Sequence, residues 1–366
     1  MNTFDLIVVG AGMVGVACAD AACAEGLKVA LIEPGPIGGG ATAAAMGHLV
    51  AMDEDPAELA LAAYSLALWE EFPSLEATEF SRCGTIWVAR NDAELARVAP
   101  KIARLAAAGI HAEALDAAQL RELEPQLAPG LAGGMRVARE AVVYPPRAAR
   151  CLVERARLRG LRLFAGRHVV SCADGGVVLD DGTRLRGPAL LATGCAVPTL
   201  LPHLPVRPRK GHLVITDRHP GWVHHQLLEL GYADSAHGNA ASSVAFNVQP
   251  RPTGQLLIGS SREESVTDAA VSAPVVQRML ARTLEYLPGL RALRAIRVWT
   301  GFRPATPDGR PYLGAVPGTR ALWVAAGHEG LGITTALGSA RLLMDLFLGR
   351  QPAIDPAPYS PARVAP

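Results

Sequence analysis

Apolar residues recur along this chain in two rhythms. Leu6-Ile7-Val8-Val9 and Val29-Ala30-Leu31-Ile32 are short unbroken apolar runs, the pattern of strands buried on both faces of a parallel sheet. A glycine turn and a helix lie between them, so the chain opens β-α-β. A 3.6-residue rhythm follows over Pro56 to Glu71 (Leu59, Ala62, Ala63, Leu66, Trp69), and again over Asp92 to Ala108 (Leu95, Val98, Ile102, Leu105), stopped at Gly109. Asp116 caps a shorter helix ending at Glu124 before Pro125, and Pro145-Pro146 suit the first turn of a helix over Arg147 to Arg159. Gly84 to Ala89, Leu161 to Phe164 and Ala189 to Gly194 predict strands, and Val177, Leu179 and Leu185 around Asp181-Gly182 predict a hairpin. From Arg209 to Ser261 the text is mostly strand: Leu213 to Ile215, Gln226 to Leu228, Ser243 to Phe246 and Leu256 to Ile258, a mixed or antiparallel sheet. Pro274 to Leu287 and Thr335 to Leu348 predict helices either side of a strand at Leu322 to Ala325, and the Pro-rich tail after Gln351 reads as extended.

The opening unit carries chemistry. Gly10-Ala11-Gly12-Met13-Val14-Gly15 has the spacing in which the first glycine makes a tight turn, the second lets backbone approach a pyrophosphate, and the third lets the helix sit close on the sheet. Glu33 ends the second strand, where a carboxylate accepts hydrogen bonds from both ribose hydroxyls. The same stretch is apolar enough to suggest a secretory signal, but Asp5 stands where a positive flank belongs and Asp20 interrupts the run. Next comes Pro34-Gly35-Pro36-Ile37-Gly38-Gly39-Gly40-Ala41-Thr42-Ala43-Ala44-Ala45-Met46-Gly47-His48, a run of small residues. It suits backbone N–H groups lying against a phosphate, with a helix starting near Thr42, and it equally suits a tightly packed turn.

Composition narrows the partners. Lys+Arg 35 against Asp+Glu 34 leaves a net charge of +1, which removes any general electrostatic argument for nucleic acid or an acidic membrane. The six cysteines, at 18, 23, 83, 151, 172 and 195, form no CxxC pair and no His/Cys cluster, so no metal or iron–sulfur site is expected. They read as buried thiols of a reducing cytoplasm, with peripheral contact at an inner membrane left open. No apolar run approaches the roughly 20 residues of a membrane span.

Four stations, Gly10/Gly12/Gly15 with Glu33, the small-residue run around Thr42, Ala192-Thr193-Gly194, and Gly301-Phe302-Arg303-Pro304-Ala305-Thr306-Pro307-Asp308-Gly309 followed by Gly327-His328-Glu329-Gly330-Leu331-Gly332, resemble in order and spacing the D-amino-acid oxidase and glycine/sarcosine oxidase family of flavoproteins. Gly38 to Leu49, Arg82-Cys83-Gly84-Thr85, Val143-Tyr144-Pro145-Pro146 and Gly327 to Gly332 are most similar to the FAD-binding subunits of D-hydroxyproline dehydrogenases and related opine-type oxidases. The resemblance covers essentially the whole chain. It implies an α/β fold with an α+β second domain. A Rossmann-like FAD-binding domain would take residues 1–80, 141–205 and 297–366. A discontinuous substrate domain on a mixed antiparallel sheet would take 81–140 and 206–296. FAD is implied as cofactor, bound by Gly10, Gly12, Met13, Val14, Gly15 and Glu33, by Gly40, Ala41, Thr42, Met46, Gly47 and His48, by Val169, Thr193 and Gly194, and by Gly301, Arg303, His328, Glu329, Gly330, Leu331, Gly332, Ile333 and Thr334. Related sarcosine oxidases attach flavin through a Cys that is Gly301 here, so the flavin is expected without a covalent bond.

The implied reaction is oxidation of a small D- or secondary amino acid at Cα, with cis-4-hydroxy-D-proline and D-proline first, hydride passing to flavin N5 and an imine leaving. Arg303 matches the family's carboxylate-binding arginine, whose fork pairs both oxygens of a carboxylate; a surface arginine in a turn is the plain alternative. Gly330 to Thr334, at the start of the last helix, would set N–H groups near the flavin's pyrimidine edge. His48, Tyr232 and His328 are further catalytic candidates. Each has a structural alternative: a buried hydrogen-bonded histidine, an aromatic in a strand core, a helix cap. Lys210 and His212 are weaker candidates in the same sheet. No internal relay is visible, so electrons are expected to pass to additional redox subunits or another acceptor, with a homo-oligomer also open. An oxidase using O2 and releasing H2O2, and a non-catalytic flavoprotein subunit, are the alternatives.

Overall fold

The computed structural model describes residues 2–52, 54–72, 75–232 and 242–364. Part of the strand-rich reading of residues 209–261, namely 233–241, lies outside the described residues. The two opening apolar runs form neighbouring parallel strands, Leu6–Val9 and Val29–Glu33, joined by the helix Met13–Ala24. They sit in a six-stranded sheet in the order Tyr312–Ala315, Leu322–Ala326, Ala189–Leu191, Leu6–Val9, Val29–Glu33, Arg162–Ala165, parallel apart from the hairpin at its edge. The reason for the unbroken apolar text is visible here. Leu6 and Val8 enter a core shared with the helices Met13–Ala24, Pro145–Leu158 and Ala336–Phe347, whereas Ile7 and Val9 enter a second core on the opposite face. That face is closed by a three-stranded sheet, Arg184–Arg186, Gly176–Leu179 and Val169–Ala173. Each such side chain contributes about 1.5–3 kcal/mol by leaving water, so neither face tolerates a polar residue.

A larger sheet of eight strands carries the rest, in the order Ala295–Ala305, Arg207–Arg218, Gln255–Glu263, Ser242–Pro250, Gln226–Glu229, Thr85–Ala89, Gly133–Val137, Glu113–Asp116. Its pairings are antiparallel except for Gln226–Glu229 beside Thr85–Ala89, so the sheet is mixed. The helix Ala273–Tyr286 covers one face, where Tyr286 stacks on Phe246 with ring centroids 4.1 Å apart. The other face, with Trp87, Leu228, Tyr232, Leu213 and Leu257, turns toward Met46 and the first half of the chain.

Three expectations change. The helix over Asp92 to Ala108 breaks into Asp92–Leu95 and Val98–Ala107, because Pro100 lacks an N–H and its ring would strike the carbonyl four residues back, at Ala96. The glycine-rich text at Gly301-Phe302-Arg303-Pro304 is no turn: it lies inside the strand Ala295–Ala305, paired along its length with Arg207–Arg218. Pro304 is tolerated because this is the edge strand. The tail is anchored by short 3-10 turns at Ala357–Tyr359 and Pro361–Val364, with Tyr359 buried and its hydroxyl donating to Ala57 O.

Candidate functional site

The first part of the site lies at the carboxyl ends of the parallel strands. Gly10 has φ +102°, and a Cβ there would lie 2.5 Å from Ala192 O; a Cβ on Gly15 would lie 1.9 Å from Gly10 O. Those two glycines are required by backbone approaching backbone. Gly12 is different, since the nearest atom to its missing Cβ is Thr42 Oγ1 at 3.5 Å. Thr42 Oγ1 accepts the Met13 N–H at 2.9 Å at the start of the helix, so the short helix Gly40–Ala44, which begins two residues before Thr42, is tied to the glycine turn. Glu33 accepts from Ala11 N–H at 2.7 Å and Gly35 N–H at 2.8 Å, which holds the same turn from the other side. Gly40 and Gly194, both at positive φ, have no heavy atom within 4 Å of where a Cβ would stand. Beside them the buried Thr193 hydroxyl has no partner among the described residues. An open strip of Cβ-free backbone with an unsatisfied hydroxyl at a helix N-terminus fits the diphosphate of a dinucleotide. Val169 is buried in the three-stranded sheet that adjoins these strands.

The second part is where the small-residue run meets the large sheet. His48 opens the two-residue strand His48–Leu49, paired with Ala141–Val142. Its Nδ1 bonds Gln226 Oε1 and its Nε2 lies 3.1 Å from Asn247 Nδ2. Burial, the largest cause, pushes His48 down to about 4, so the ring is neutral near pH 7. Gln226 in turn donates to Ala141 O at 3.0 Å and to Thr85 Oγ1 at 3.1 Å. Farther along the strand Ser242–Pro250, Gln249 donates to Met46 O at 2.7 Å, and beyond its end Arg251 donates to Val143 O at 3.0 Å. Gln226, Asn247, Gln249 and Arg251 were not singled out from the sequence. Their signal was there: from Val244 to Arg251, Asn247, Gln249 and Arg251 are polar at every second position among apolar residues, and all three are buried.

The third part is an arginine cluster on the adjoining strands. Arg303 reaches back across Arg207–Arg218, where a Cβ on Gly211 would lie 2.7–2.9 Å from its guanidinium, and donates to Ser261 O at 3.0 Å. Arg209 and Arg262 both reach Glu329, each at 3.4 Å. Burial works against charge on Glu329, but Arg262, Arg303 and Arg209 outweigh it and hold its carboxyl down at about 2. Glu329 is locked in a left-handed conformation at φ +45°. No carboxylate among the described residues lies within ion-pair distance of Arg303, although Glu329 is near enough to feel its charge. At the other end of that strand Trp299 Nε1 donates to Ala44 O at 3.3 Å, and a Cβ on Gly301 would lie 2.4 Å from Ala44 Cβ.

The remaining candidates separate. Tyr232 bonds Ser260 Oγ at 2.9 Å, on the strand whose next residue holds Arg303. His328 turns away, its Nε2 lying 3.0 Å from Ser339 Oγ inside the last helix, and burial pushes it down to about 4. Thr334 fastens the turn after Glu329–Leu331 to the site: its hydroxyl donates to His48 O at 2.9 Å, while its carbonyl accepts from Ser65 Oγ at 2.6 Å and Trp69 Nε1 at 3.0 Å. Leu331 and Ile333 pack against the cores beside that turn. Lys210 pairs with Asp268 at 3.2 Å and His212 bonds Ser261 and the Ser272 N–H, which ties down the segment leading to the helix Ala273–Tyr286. A cavity of about 850 Å3 lies between the helices Pro56–Glu70 and Val98–Ala107 and reaches Leu49 and Ala141 of the two-stranded pair, but none of the glycine turn lines it.

A model of the FAD dependent oxidoreductase family, DAO, matches residues 5–346. A glycine oxidase of Pseudomonas aeruginosa is 32% identical over 98% of each chain. A D-amino acid dehydrogenase of Rhizorhabdus wittichii is 30% identical over 74% of this chain and 65% of its own. Among solved structures, the glycine oxidase of Geobacillus kaustophilus superposes with a TM-score of 0.85 at 27% identity, covering 98% of each chain.

Proposed function

Because the chain belongs to the FAD-dependent oxidoreductase family DAO, we propose that it oxidises a small D- or secondary amino acid at Cα, with cis-4-hydroxy-D-proline or D-proline as the substrate and a partner or other acceptor taking the electrons. The observation that carries this reading is Arg303: its guanidinium is held by one carbonyl over a glycine and has no carboxylate partner among the described residues, while Arg209 and Arg262 beside it are committed to Glu329. A planar fork left open in this way is a receptor for one carboxylate. FAD, when bound, supplies the hydride acceptor.

The chain's own work is positional. Gly12, Gly40 and Thr193-Gly194 would hold the diphosphate and Glu33 the ribose. Arg303 fixes the substrate carboxylate and thereby aims Cα–H. Met46, Leu213 and Leu257 form an apolar wall on the same face that excludes water. Of this turn, the Gly330 amide donates to Glu329 and the Leu331 amide to His328 O, so those of Gly332 to Thr334, ahead of the helix Ala336–Phe347, would stabilise negative charge on the cofactor ring. With glycine at 301 no thiol stands at that position, so the cofactor would be held there by contacts alone.

A second reading, a glycine/sarcosine-type oxidase, is favoured by the full-length similarity to glycine oxidases. The test is anaerobic mixing of the yellow protein with cis-4-hydroxy-D-proline, D-proline, sarcosine and glycine, followed by bleaching of the flavin band. The two D-prolines are expected to bleach it fastest. Faster bleaching by glycine or sarcosine selects the second reading, and bleaching by none overturns both.

A further inference from the structure

We propose that the side-chain oxygen of Asn247 accepts the N–H of the substrate's amine, giving the substrate a second fixed point after Arg303. The proposal rests on the amino-acid reading above.

The argument begins with polarity. Ala141 O can only accept, so the atom of Gln226 facing it at 3.0 Å is the amide nitrogen, and Gln226 Oε1 must face His48. His48 Nδ1 therefore carries the proton. Its Nε2 is a lone pair in the neutral ring, and Asn247 must present its NH2 group there, at 3.1 Å. This chain of three side chains leaves Asn247 Oδ1 no choice of direction. The residue is 3% exposed, and that oxygen has no hydrogen-bond partner among the described residues. A buried carbonyl whose direction is set through His48, itself fixed by Gln226, and which is left without a donor is prepared for a ligand.

Placement selects the donor. Asn247 stands opposite Gly259, on the face that looks toward Met46, whose Sδ would lie 3.0 Å from a Cβ on that glycine. Ser261, which holds the Arg303 guanidinium, lies two residues along the same strand as Gly259. Regular strand spacing and rise would put Ser261 and Asn247 about 8 Å apart, a separation that the register shift between Val244 and Asn247 alters locally. An α-amino acid with its carboxylate on a guanidinium and its amine on a carbonyl bridges a gap of that order. Gln249 also has an unpartnered side-chain oxygen, but it pairs with Leu257, farther from Ser261.

The chemistry fits the task. The amine must be neutral when hydride leaves Cα. A carboxylate at 247 would stabilise the ammonium form and hold the proton on, whereas a carboxamide oxygen orients an N–H with far less preference for the charged form. A neutral secondary amine still has one N–H to give.

The test uses the holoenzyme with two variants, Asn247→Leu and the near-isosteric Asn247→Asp, and an amine-free probe, cyclopentanecarboxylate, titrated by calorimetry. Asn247→Leu is expected to bind the probe within about twofold of wild type while losing roughly 10- to 100-fold in kcat/KM for the amino acid. Asn247→Asp is expected to move the acid limb of the kcat profile to higher pH by about one unit. Probe binding that falls in step with activity, loss of FAD from both variants, or an unmoved limb in Asn247→Asp would each overturn the assignment. A wild type that binds the probe yet is reduced by no amino acid would overturn the functional reading, and this proposal with it. A wild type that turns over alongside equally active variants would overturn the role of Asn247 alone.

Discussion

His48 and His328 are both held near 4 by burial, yet their neighbours give them different work. His48 is one link in a chain of amides that crosses from the first half of the molecule to the large sheet. His328 meets one hydroxyl, Ser339, inside a helix and serves the packing there. A folded-state value below the ordinary 6.5 means that the unfolded chain takes up the proton first as pH falls. The stability His328 contributes is therefore complete above about pH 6.5 and is lost progressively as pH falls toward 4. Replacing it with a side chain that keeps a hydrogen bond but does not titrate, His328→Gln, should remove roughly 2 kcal/mol of the wild type's loss in unfolding free energy between about pH 7.5 and pH 5. Urea melts at the two pH values measure this, and parallel slopes in both proteins would contradict it. Neither the burial of His328 nor the openness of Arg303 could be read from Gly301-Phe302-Arg303 or Gly327-His328-Glu329, because both depend on what lies opposite.

Among the elements, the pair of strands Ala295–Ala305 and Arg207–Arg218 shapes the side of the site proposed for the substrate. Glycines at 211 and 301 face each other across that pair, one making room for the Arg303 guanidinium and the other for Ala44. Gly211→Ala puts a methyl group against the guanidinium, the movable end of a long side chain, so the fold should survive and the fork should shift. The expected outcome is a KM raised on the order of tenfold with FAD content unchanged. Arg303→Ala should cost on the order of a hundredfold or more in kcat/KM, and adding Gly211→Ala to it should cost little further. Additive losses in that cycle would show that Gly211 acts on something other than Arg303. Legibility at this scale was uneven. The parallel strands declared themselves by unbroken apolar runs, while the arginine strand, rich in Gly and Pro, showed no strand pattern because its glycines are needed for close approach and its proline sits on an edge.

For the whole molecule, the open question is where electrons go. The chain holds one dinucleotide fingerprint, and no group of three His, Cys, Asp or Glu that could hold a metal occurs among the described residues. On the proposed reading the reduced protein, exposed to air, should reoxidise slowly and be accelerated by an artificial dye or a co-expressed partner. Rapid reoxidation with stoichiometric hydrogen peroxide, fast enough to sustain turnover, would instead mark an oxidase. What the sequence alone determined is the end proposed for the nucleotide: Gly10, Gly12, Gly15 and Glu33 lie within one β-α-β unit, where backbone sterics and a few consecutive contacts decide the outcome. Gly40 to Thr42 joined it through a bond to Met13 only 29 residues away. The substrate end was decided by tertiary structure. His48 meets Gln226 and Asn247 across 178 and 199 residues, and which face Asn247 shows depends on strand register, where a slip of one residue turns every side chain to the other side.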